Sequence, residues 1–372
     1  MNKFAKKISI AFLLSCIIFF TGCADSIVKT SDTAQNVNDF YTLLSAVESS
    51  ESITISLDND IIATEDLKIL SPSNQKREIT LNLNGHSLFF ENEKSLFVDE
   101  ENVVVEGEII KPQVNFTLTS GKNGGSVVFK YEPEGCPGGI INNGKFTLDG
   151  GVIITAANKV TGDVSLETLL GDALVWTNFQ EGCVFTMNSG MLNALGNYKY
   201  AVECFGGQVI INSGIVKNEG ERSIAISNWG GKLNINGGEI QATGDECVAI
   251  SNEDTFEPLV NPDGNSAKTS TNSDNFIIAG GKISANGNNS IAIAAERNCA
   301  IADGTISANG KDSVGILYNY VGIGGDLQIN IIKGQIKGEG HALIDYRGNS
   351  AFYKNKKDKI VNVGSDVKEI IL

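Results

Sequence analysis

The sequence predicts an all-β solenoid, in which short strands wind into stacked coils around a hydrophobic core. Short apolar runs alternate with polar residues along most of the chain, and two sequence blocks recur with a shared period of about 24 residues. The 372 residues include 41 Gly but only six Pro. Frequent Gly combined with strand-like alternation is typical of a chain that turns tightly and often. Two independent blocks with one period indicate a repeat architecture.

The first block joins an alternating strand to a glycine corner, and the second is a short apolar run that ends in Asn. The first reads LNINGGEI at 233–240, and its aligned glycines Gly190, Gly214 and Gly238 are 24 residues apart. The second reads SIAISN at 223–228 and CVAISN at 247–252. Further copies of the two blocks occur at 81–88, 209–216, 276–283, 290–293, 299–306 and 313–316, and around Gly151 and Gly334.

Strand geometry assigns a direction to each side chain of the repeat. Alternate residues of a strand point to opposite faces, so Leu233 and Ile235 are expected to point inward and Asn234 and Asn236 outward. Coils of this kind pair through parallel backbone hydrogen bonds about 4.8 Å apart. The repeat resembles the right-handed, single-stranded parallel β-helix of pectate-lyase-like extracellular proteins, over about residues 52–372. This resemblance rests on the coil period and the Asn-Gly-Gly corners, and it implies a fold rather than an activity.

Both ends of such a solenoid need covers, because a terminal coil exposes its core and its strand edge. The spacing of Phe40, Leu43, Leu44 and Val47 predicts a capping helix within 38–51, with Asn38 as N-cap. Charged residues at 355–359, followed by the apolar 360–363, predict closing strands. Departures from the period predict loops at 161–172, 253–275 and 321–326, and about eleven or twelve coils.

The N-terminus predicts export and lipid attachment. Lys3, Lys6 and Lys7 precede a 13-residue apolar stretch, which has the length of a signal peptide rather than of a membrane span. The sequence FTGC that ends at Cys23 resembles the bacterial lipobox. That resemblance implies a signal peptide at 1–22, diacylglycerol on Cys23, a tether at 23–37 and an extracytoplasmic, membrane-anchored protein. Ala24 favours the outer membrane if the cell has one.

Composition excludes several classes of function. The formal charge of −15 argues against nucleic acid as a partner, since the chain lacks the basic excess that neutralises phosphates. With two His in the chain and no close pair of Cys, the sequence predicts neither a metal site nor a cofactor. The odd number of cysteines after Cys23 leaves disulfide pairing open. They are Cys136, Cys183, Cys204, Cys247 and Cys299.

One corner of the repeat carries the candidate binding residues. Aligning the second block places a row of side chains at equivalent positions on successive coils. The row consists of Phe179, Phe205, Trp229, Glu253, Glu296, Asn319 and Arg347. Just before it stand Asn178, Asn228 and Asn252, then Tyr318 and Tyr346, and stacked Asn residues at such a corner are expected to form a structural amide ladder. Aromatic rings in such a row can fill the corner or present a platform for sugar rings. The acids Glu253 and Glu296 fall in the same row, and at coil spacing they match the separation of a retaining glycosidase pair. Arg347 is placed to hold an anionic sugar beside them. The candidate ligand-binding residues are Phe179, Phe205, Trp229, Tyr318 and Tyr346.

Two classes of function therefore stay open. The favoured one is a non-enzymatic surface module that binds glycan or host matrix. The alternative is a divergent polysaccharide lyase or glycoside hydrolase that uses Glu253 and Glu296. The sequence contains no paired Asp residues of the kind that β-helix hydrolases use, and no calcium-binding nonapeptide, which favours the first class.

Lipidation is tested by replacing the acceptor thiol. In cells, Cys23→Ala is expected to leave the membrane fraction or to accumulate as an unprocessed precursor, because the thioether to diacylglycerol can no longer form. The measurement is metabolic labelling with a fatty acid, followed by fractionation. Labelling that persists in Cys23→Ala would exclude this site of attachment.

Overall fold

The computed structural model describes residues 34–372 apart from internal gaps, and these residues belong to a compact unit that spans 33–372. The predicted signal peptide, Cys23 and most of the tether lie outside the described residues. The buried core cluster, from Val37 to Ile370, belongs entirely to this unit. The gaps are 50–51, 72–74, 92–93, 100–103, 106–107, 110–112, 122–123, 131–138, 157–172, 179–181, 196–199, 254–274, 319–328, 346–350, 358 and 365.

The described residues form one helix, α1 (Phe40–Glu48), and 36 strands. In chain order the strands are β1 (Gln35–Val37), β2 (Ile53–Leu57), β3 (Ile61–Ala63), β4 (Leu67–Ile69), β5 (Arg77–Asn82), β6 (Ser87–Phe90), β7 (Leu96–Val98), β8 (Val104–Val105), β9 (Glu108–Ile109), β10 (Val114–Thr119), β11 (Ser126–Phe129), β12 (Ile140–Asn142), β13 (Lys145–Leu148), β14 (Ile153–Ala156), β15 (Ala173–Thr177), β16 (Val184–Met187), β17 (Met191–Leu195), β18 (Tyr200–Phe205), β19 (Gln208–Ile211), β20 (Ile215–Glu219), β21 (Ile224–Trp229), β22 (Lys232–Ile235), β23 (Glu239–Thr243), β24 (Val248–Glu253), β25 (Phe276–Ile278), β26 (Lys282–Asn286), β27 (Ile291–Ala295), β28 (Cys299–Ile301), β29 (Thr305–Asn309), β30 (Val314–Tyr318), β31 (Ile329–Ile331), β32 (Gln335–Gly338), β33 (His341–Asp345), β34 (Ala351–Asn355), β35 (Ile360–Val363) and β36 (Glu369–Ile371).

These strands build three long sheets that the chain visits in turn. Sheet A has 13 strands, in the order β1-β2-β5-β10-β13-β16-β19-β22-β25-β28-β31-β34-β35. Sheet B has 11, in the order β3-β6-β11-β14-β17-β20-β23-β26-β29-β32-β36, and sheet C has 10, in the order β4-β7-β12-β15-β18-β21-β24-β27-β30-β33. Each coil passes once through A, B and C, and neighbouring coils pair in parallel. This confirms the right-handed parallel β-helix.

The number of coils is smaller than the sequence predicts. Ten complete coils, from β2–β4 to β31–β33, lie within the described residues. The estimate of eleven or twelve was too high because the N-terminal coils are longer than the repeat. β5 and β10 begin 37 residues apart, at Arg77 and Val114. The strands β16, β19 and β22 begin 24 residues apart, at Val184, Gln208 and Lys232.

Inward-pointing residues stack in columns through the coils. Ile211, Ile235 and Ile278 are paired in register on β19, β22 and β25, and all three are fully buried. Asn234, between two of the buried positions of β22, is half-buried and points outward. In sheet A, the rings of Phe116, Phe146 and Phe185 also stack on successive coils, with centroids 5.7 and 5.2 Å apart. The predicted directions of the side chains in β22 are therefore confirmed.

The glycine repeats because of its place at the A–B corner, where the chain passes from sheet A to sheet B. Gly238 has a φ of +81°, a backbone conformation that residues with a side chain rarely adopt. A Cβ added there would lie 2.7 Å from the carbonyl oxygen of Gly214 on the preceding coil. The close stacking of the coils thus requires Gly at this point of the repeat. An exposed amide ladder borders the same corner, in which Asn236 donates to Asn212 at 2.7 Å.

The N-terminal cap differs from the expectation in two details. The N-cap of α1 is Asp39 rather than Asn38, because Asp39 is extended and its carboxylate accepts from the Thr42 N–H at 2.7 Å. That hydrogen bond lowers the pKa of Asp39. The end of the predicted tether is also part of the fold, since β1 pairs with β2. Leu43, Ala46 and Val47 of α1 are buried.

A buried arginine ties this helix to the coils. The guanidinium of Arg77 donates to the carbonyl oxygen of Leu70 at 2.6 Å and to that of Val47, near the end of α1. Arg77 is buried, and this burial lowers its pKa. The sequence gives no sign of this role, because Arg77 opens an ordinary alternating strand.

Antiparallel strands close the C-terminal end. β35 pairs antiparallel with β34 in sheet A, and β36 pairs antiparallel with β32 in sheet B. The predicted closing strand at 360–363 is confirmed. Of the predicted loops, 161–172 lies in the gap between β14 and β15, and 321–326 lies in the gap between β30 and β31. The loop at 253–275 overlaps the gap between β24 and β25.

The inward column is tested by placing a charge in it. In residues 33–372, Ile235→Asp is expected to reduce the free energy of unfolding by several kcal/mol, because the carboxylate would be buried without a partner. The matched control Asn234→Asp puts the same group on the outer face of the same strand and should change little. Denaturant titration followed by circular dichroism measures both variants. Equal midpoints for the two would contradict the assignment.

Candidate ligand-binding corner

Four predicted residues lie in a row where the chain leaves sheet C for sheet A. We call this row, Phe205, Trp229, Glu253 and Glu296, the C–A corner. The register pairs Phe205 with Trp229 and Trp229 with Glu253. The backbone N–H of Glu296 donates to the carbonyl oxygen of Asn252 at 2.9 Å, which places Glu296 on the next coil beside Glu253. The predicted alignment is confirmed for these four residues.

Phe179 does not fall in register with this row. Thr177 pairs with Cys204, so Asn178 rather than Phe179 follows at the position of Phe205. Phe179 and Tyr346 lie outside the described residues, as do Asn319 and Arg347.

Tyr318 lies one residue before the row, as the alignment of the second block predicts. It pairs with Ala295, which itself pairs with Asn252, so Tyr318 belongs to the column inside the corner. It is only 8% exposed and joins the hydrophobic core, so its ring is packed inside the corner rather than presented on the surface.

Buried amides hold the inside of the corner. The side chain of Asn228 donates to the amide oxygen of Asn252 at 2.7 Å and to the carbonyl oxygen of Gly231 at 3.1 Å. A second pair, in which Asn178 donates to Asn143 at 2.8 Å, lies one residue later in the repeat. Because buried polar groups need partners, these pairs fix the path of the chain at the corner. The structural interpretation of the stacked Asn residues is confirmed.

The side chains of Trp229 and Glu253 fold back over the outer face of sheet C in the same way. The indole Nε1 of Trp229 donates to Ser227 Oγ at 2.7 Å. The hydroxyl of Ser251 donates to Glu253 Oε1 at 2.5 Å. Ser227 and Ser251 are paired in register, and both are buried although they point outward. An aromatic ring and a carboxylate therefore lie at matching places on adjacent coils.

The two serines were missed at the sequence level, although the repeat contains the signal. Ser227 and Ser251 occupy the same position in the two copies of the second block, two residues before Trp229 and Glu253. Glu203 occupies this position on the preceding coil and Ala294 on the following one, and both are buried. Strand alternation alone would place these positions on the outer face of the sheet.

In each acid of the pair, one carboxylate oxygen is hydrogen-bonded or buried. Glu253 and Glu296 lie on adjacent coils, whose backbones are about 4.8 Å apart. The carboxylate of Glu253 accepts from Ser251, and Oε1 of Glu296 is buried. In the described part of the chain, no group of three or more His, Cys, Asp or Glu residues is arranged to hold a metal ion. His86 lies between β5 and β6 in the A–B connection, 3.6 Å from Asp60, and His341 opens β33.

The cysteines whose environment is described are buried, and no disulfide joins them to one another. They are Cys183, Cys204, Cys247 and Cys299, and Cys136 lies outside the described residues. Burial raises the pKa of Cys204 and Cys299 and raises that of Cys247 to about 11. Cys299 lies in the hydrophobic core, paired in register with Ile329.

Comparisons with family models, with curated proteins and with solved structures gave no match for this chain. Among the described residues, no helix is long and apolar enough to cross a membrane.

Thiol burial has a direct chemical test. In residues 33–372 carrying Cys136→Ser, the four remaining thiols are expected to resist alkylation at pH 8 and to react fully in denaturant. With a pKa of about 11, only about one Cys247 in a thousand is a thiolate at that pH. Ser213→Cys, on the exposed A–B corner, is the reactive control. Rapid labelling of Cys247 in the native protein would contradict its buried position.

Proposed function

We propose that this protein is a lipid-anchored surface β-helix that binds glycan chains at the C–A corner without modifying them. The observation that carries the proposal is the sequence of side chains along the row. Phe205 and Trp229 are followed on the next two coils by Glu253 and Glu296. Phe205, Trp229 and both acids are half-buried, so part of each remains accessible to a ligand.

The chemistry of the row suits sugars. An aromatic ring offers a flat apolar face on which the apolar face of a sugar ring can stack. A carboxylate accepts hydrogen bonds from sugar hydroxyls, and such charge-assisted bonds are stronger than neutral ones. Successive coils repeat at about 4.8 Å, so the row presents its groups at regular intervals on a rigid sheet. A long, repetitive ligand fits such an arrangement better than a small molecule.

The acid pair is suited to binding sugar hydroxyls, and its spacing also fits a hydrolase. A retaining glycosidase needs one carboxyl group that stays protonated and a second that acts as a free nucleophile, about 5 Å away. Spacing by adjacent coils is compatible with that distance. However, the Ser251 hydroxyl donates to Glu253, and a hydrogen bond of this kind stabilises the ionised carboxylate rather than the acid. This suits Glu253 to accept hydrogen bonds from sugar hydroxyls. In a glycosidase it would be the nucleophile and Glu296 the acid, so hydrolase or lyase activity stays as the alternative.

The proposal also includes the lipid anchor on Cys23. Lipid on Cys23 would hold the protein at the membrane through the residues that precede Gln35, the first residue of β1. Twelve residues span at most about 40 Å when extended, so the coils would lie near the membrane. A lipid chain without an adjacent basic segment anchors through its acyl groups alone.

The proposal is tested by binding, with aromatic variants as a matched pair. Residues 33–372 are expected to be retarded in gels that contain a recognised polysaccharide, and Trp229→Ala should abolish the retardation because it removes the stacking face. Tyr41→Ala, which removes an exposed aromatic side chain from α1, is the control and should bind normally. A panel of neutral and acidic polysaccharides identifies the ligand.

The enzymatic hypothesis predicts a different result with the same panel of polysaccharides. It requires new reducing ends or unsaturated products that disappear in both Glu253→Gln and Glu296→Gln. Such activity would overturn the binding proposal. The failure of every polysaccharide to retard the protein would also count against it.

A further inference from the structure

The C-terminal end of the coils differs in charge from the rest of the chain. Residues 329–372 contain eight basic and five acidic residues, whereas residues 1–328 contain 21 basic and 39 acidic residues. The excess of positive charge is concentrated in the hairpin of β34 and β35. We call residues 351–363 the tip hairpin.

The tip hairpin has one buried and one exposed face. Ala351, Tyr353 and Val363 are buried against the last coils. On the opposite face, Phe352 is 48% exposed and Ile360 is 75% exposed. Lys354 lies across from Ile360 in the antiparallel register. The outward face therefore combines exposed apolar side chains with a lysine.

The turn of the hairpin holds more lysines in a defined position. The side-chain oxygen of Asn355 accepts from the backbone N–H groups of Lys357 and Lys359, at 2.9 and 3.2 Å. The N–H of Asn355 donates to the carbonyl oxygen of Lys359 at 3.0 Å. Lys356, Lys357 and Lys359 are all exposed. The closed turn keeps the backbone of these three lysines within four residues of Ile360.

These three lysines also differ from several on the coils. Lys282, Lys333 and Lys337 each form an ion pair with an acidic residue, at 2.5 to 2.9 Å. None of the three turn lysines forms such a pair with a described residue, and Asp358, the acid between them in sequence, lies outside the described part of the chain. Lysines on an edge strand often serve to prevent pairing with another chain. That role does not account for a large aliphatic side chain such as Ile360 left exposed among them.

We propose that the tip hairpin docks on an anionic lipid bilayer, with Ile360 and Phe352 entering the headgroup region and the lysines facing lipid phosphates. Apolar side chains surrounded by lysines are the combination that binds the bilayer interface. The acidic coils do not prevent this, because charges are screened beyond about 10 Å at 0.1 M salt and ten coils extend about 48 Å. Only the last two coils lie within the screening distance.

The test is sedimentation of residues 33–372 with vesicles, which excludes any contribution from lipid on Cys23. The protein is expected to bind vesicles of phosphatidylcholine mixed with phosphatidylglycerol, and not vesicles of phosphatidylcholine alone. Lys356→Glu combined with Lys357→Glu should weaken binding about tenfold or more. The control, Lys145→Glu with Lys232→Glu, reverses two exposed lysines on sheet A and should bind normally.

A second variant separates the apolar contribution from the charge. Ile360→Ser keeps every lysine, so it should bind more weakly while its dependence on salt concentration stays the same. Circular dichroism confirms that each variant is folded. The proposal is overturned if the wild-type protein does not bind anionic vesicles, or if the Lys356 and Lys357 double variant binds as well as the wild type. It is also overturned if sedimentation velocity shows that these lysines instead mediate association with the acidic first coil of a second copy.

Discussion

The in-register hydrogen bonding between parallel strands of successive coils is the constraint on which the rest of this structure depends. It converts a position in the sequence repeat into a line of side chains along the sheet. Ile211, Ile235 and Ile278 become one column of the core in this way. The same pairing places Trp229 beside Glu253. Core and surface are thus ordered by a single backbone pattern.

The buried amides extend this order to the point where the strands end. At a corner the backbone ladder stops, and the chain needs another interaction to fix its direction. The hydrogen bond from Asn228 to Asn252 supplies it inside the C–A corner. Because Trp229 and Glu253 follow these residues directly, their positions depend on the amide pair. The pairing is incomplete, because Asn228 Oδ1 and Asn252 Nδ2 are buried with no hydrogen-bond partner among the described residues, and a buried polar atom without a partner costs free energy.

Much of the fold could be predicted from the sequence because each regular coil corresponds to one unit of the sequence repeat. The period, the inward direction of Ile235 and the need for Gly238 follow from strand alternation and corner geometry. The number of coils could not be predicted, because the long N-terminal coils keep their strands but not their spacing. Phe179 was misplaced for a related reason, since aligning similar residues cannot detect a shift of one position. Only the hydrogen-bonded register separates the inside of a corner from its rim.

Some features of the candidate site also could not be predicted from the sequence. Alternation assigns Ser227 and Ser251 to solvent, and nothing in the pattern shows that the side chains two residues later fold back over them. The role of Arg77 is similar, because it depends on two carbonyl oxygens that the sequence pattern does not place near it, that of Val47 in α1 and that of Leu70 just after β4. Such contacts depend on side-chain conformation in three dimensions rather than on periodicity.

The regular coils between β16 and β22 have a consequence for how this chain can change in length. Each coil there begins at the same point of the repeat, 24 residues after the one before. Gain or loss of one whole unit by recombination would join equivalent positions and leave every later column intact. An insertion of a single residue within a strand would instead turn the following side chains to the opposite face. Evolution of this molecule is therefore expected to proceed in whole coils, with smaller insertions confined to the corners.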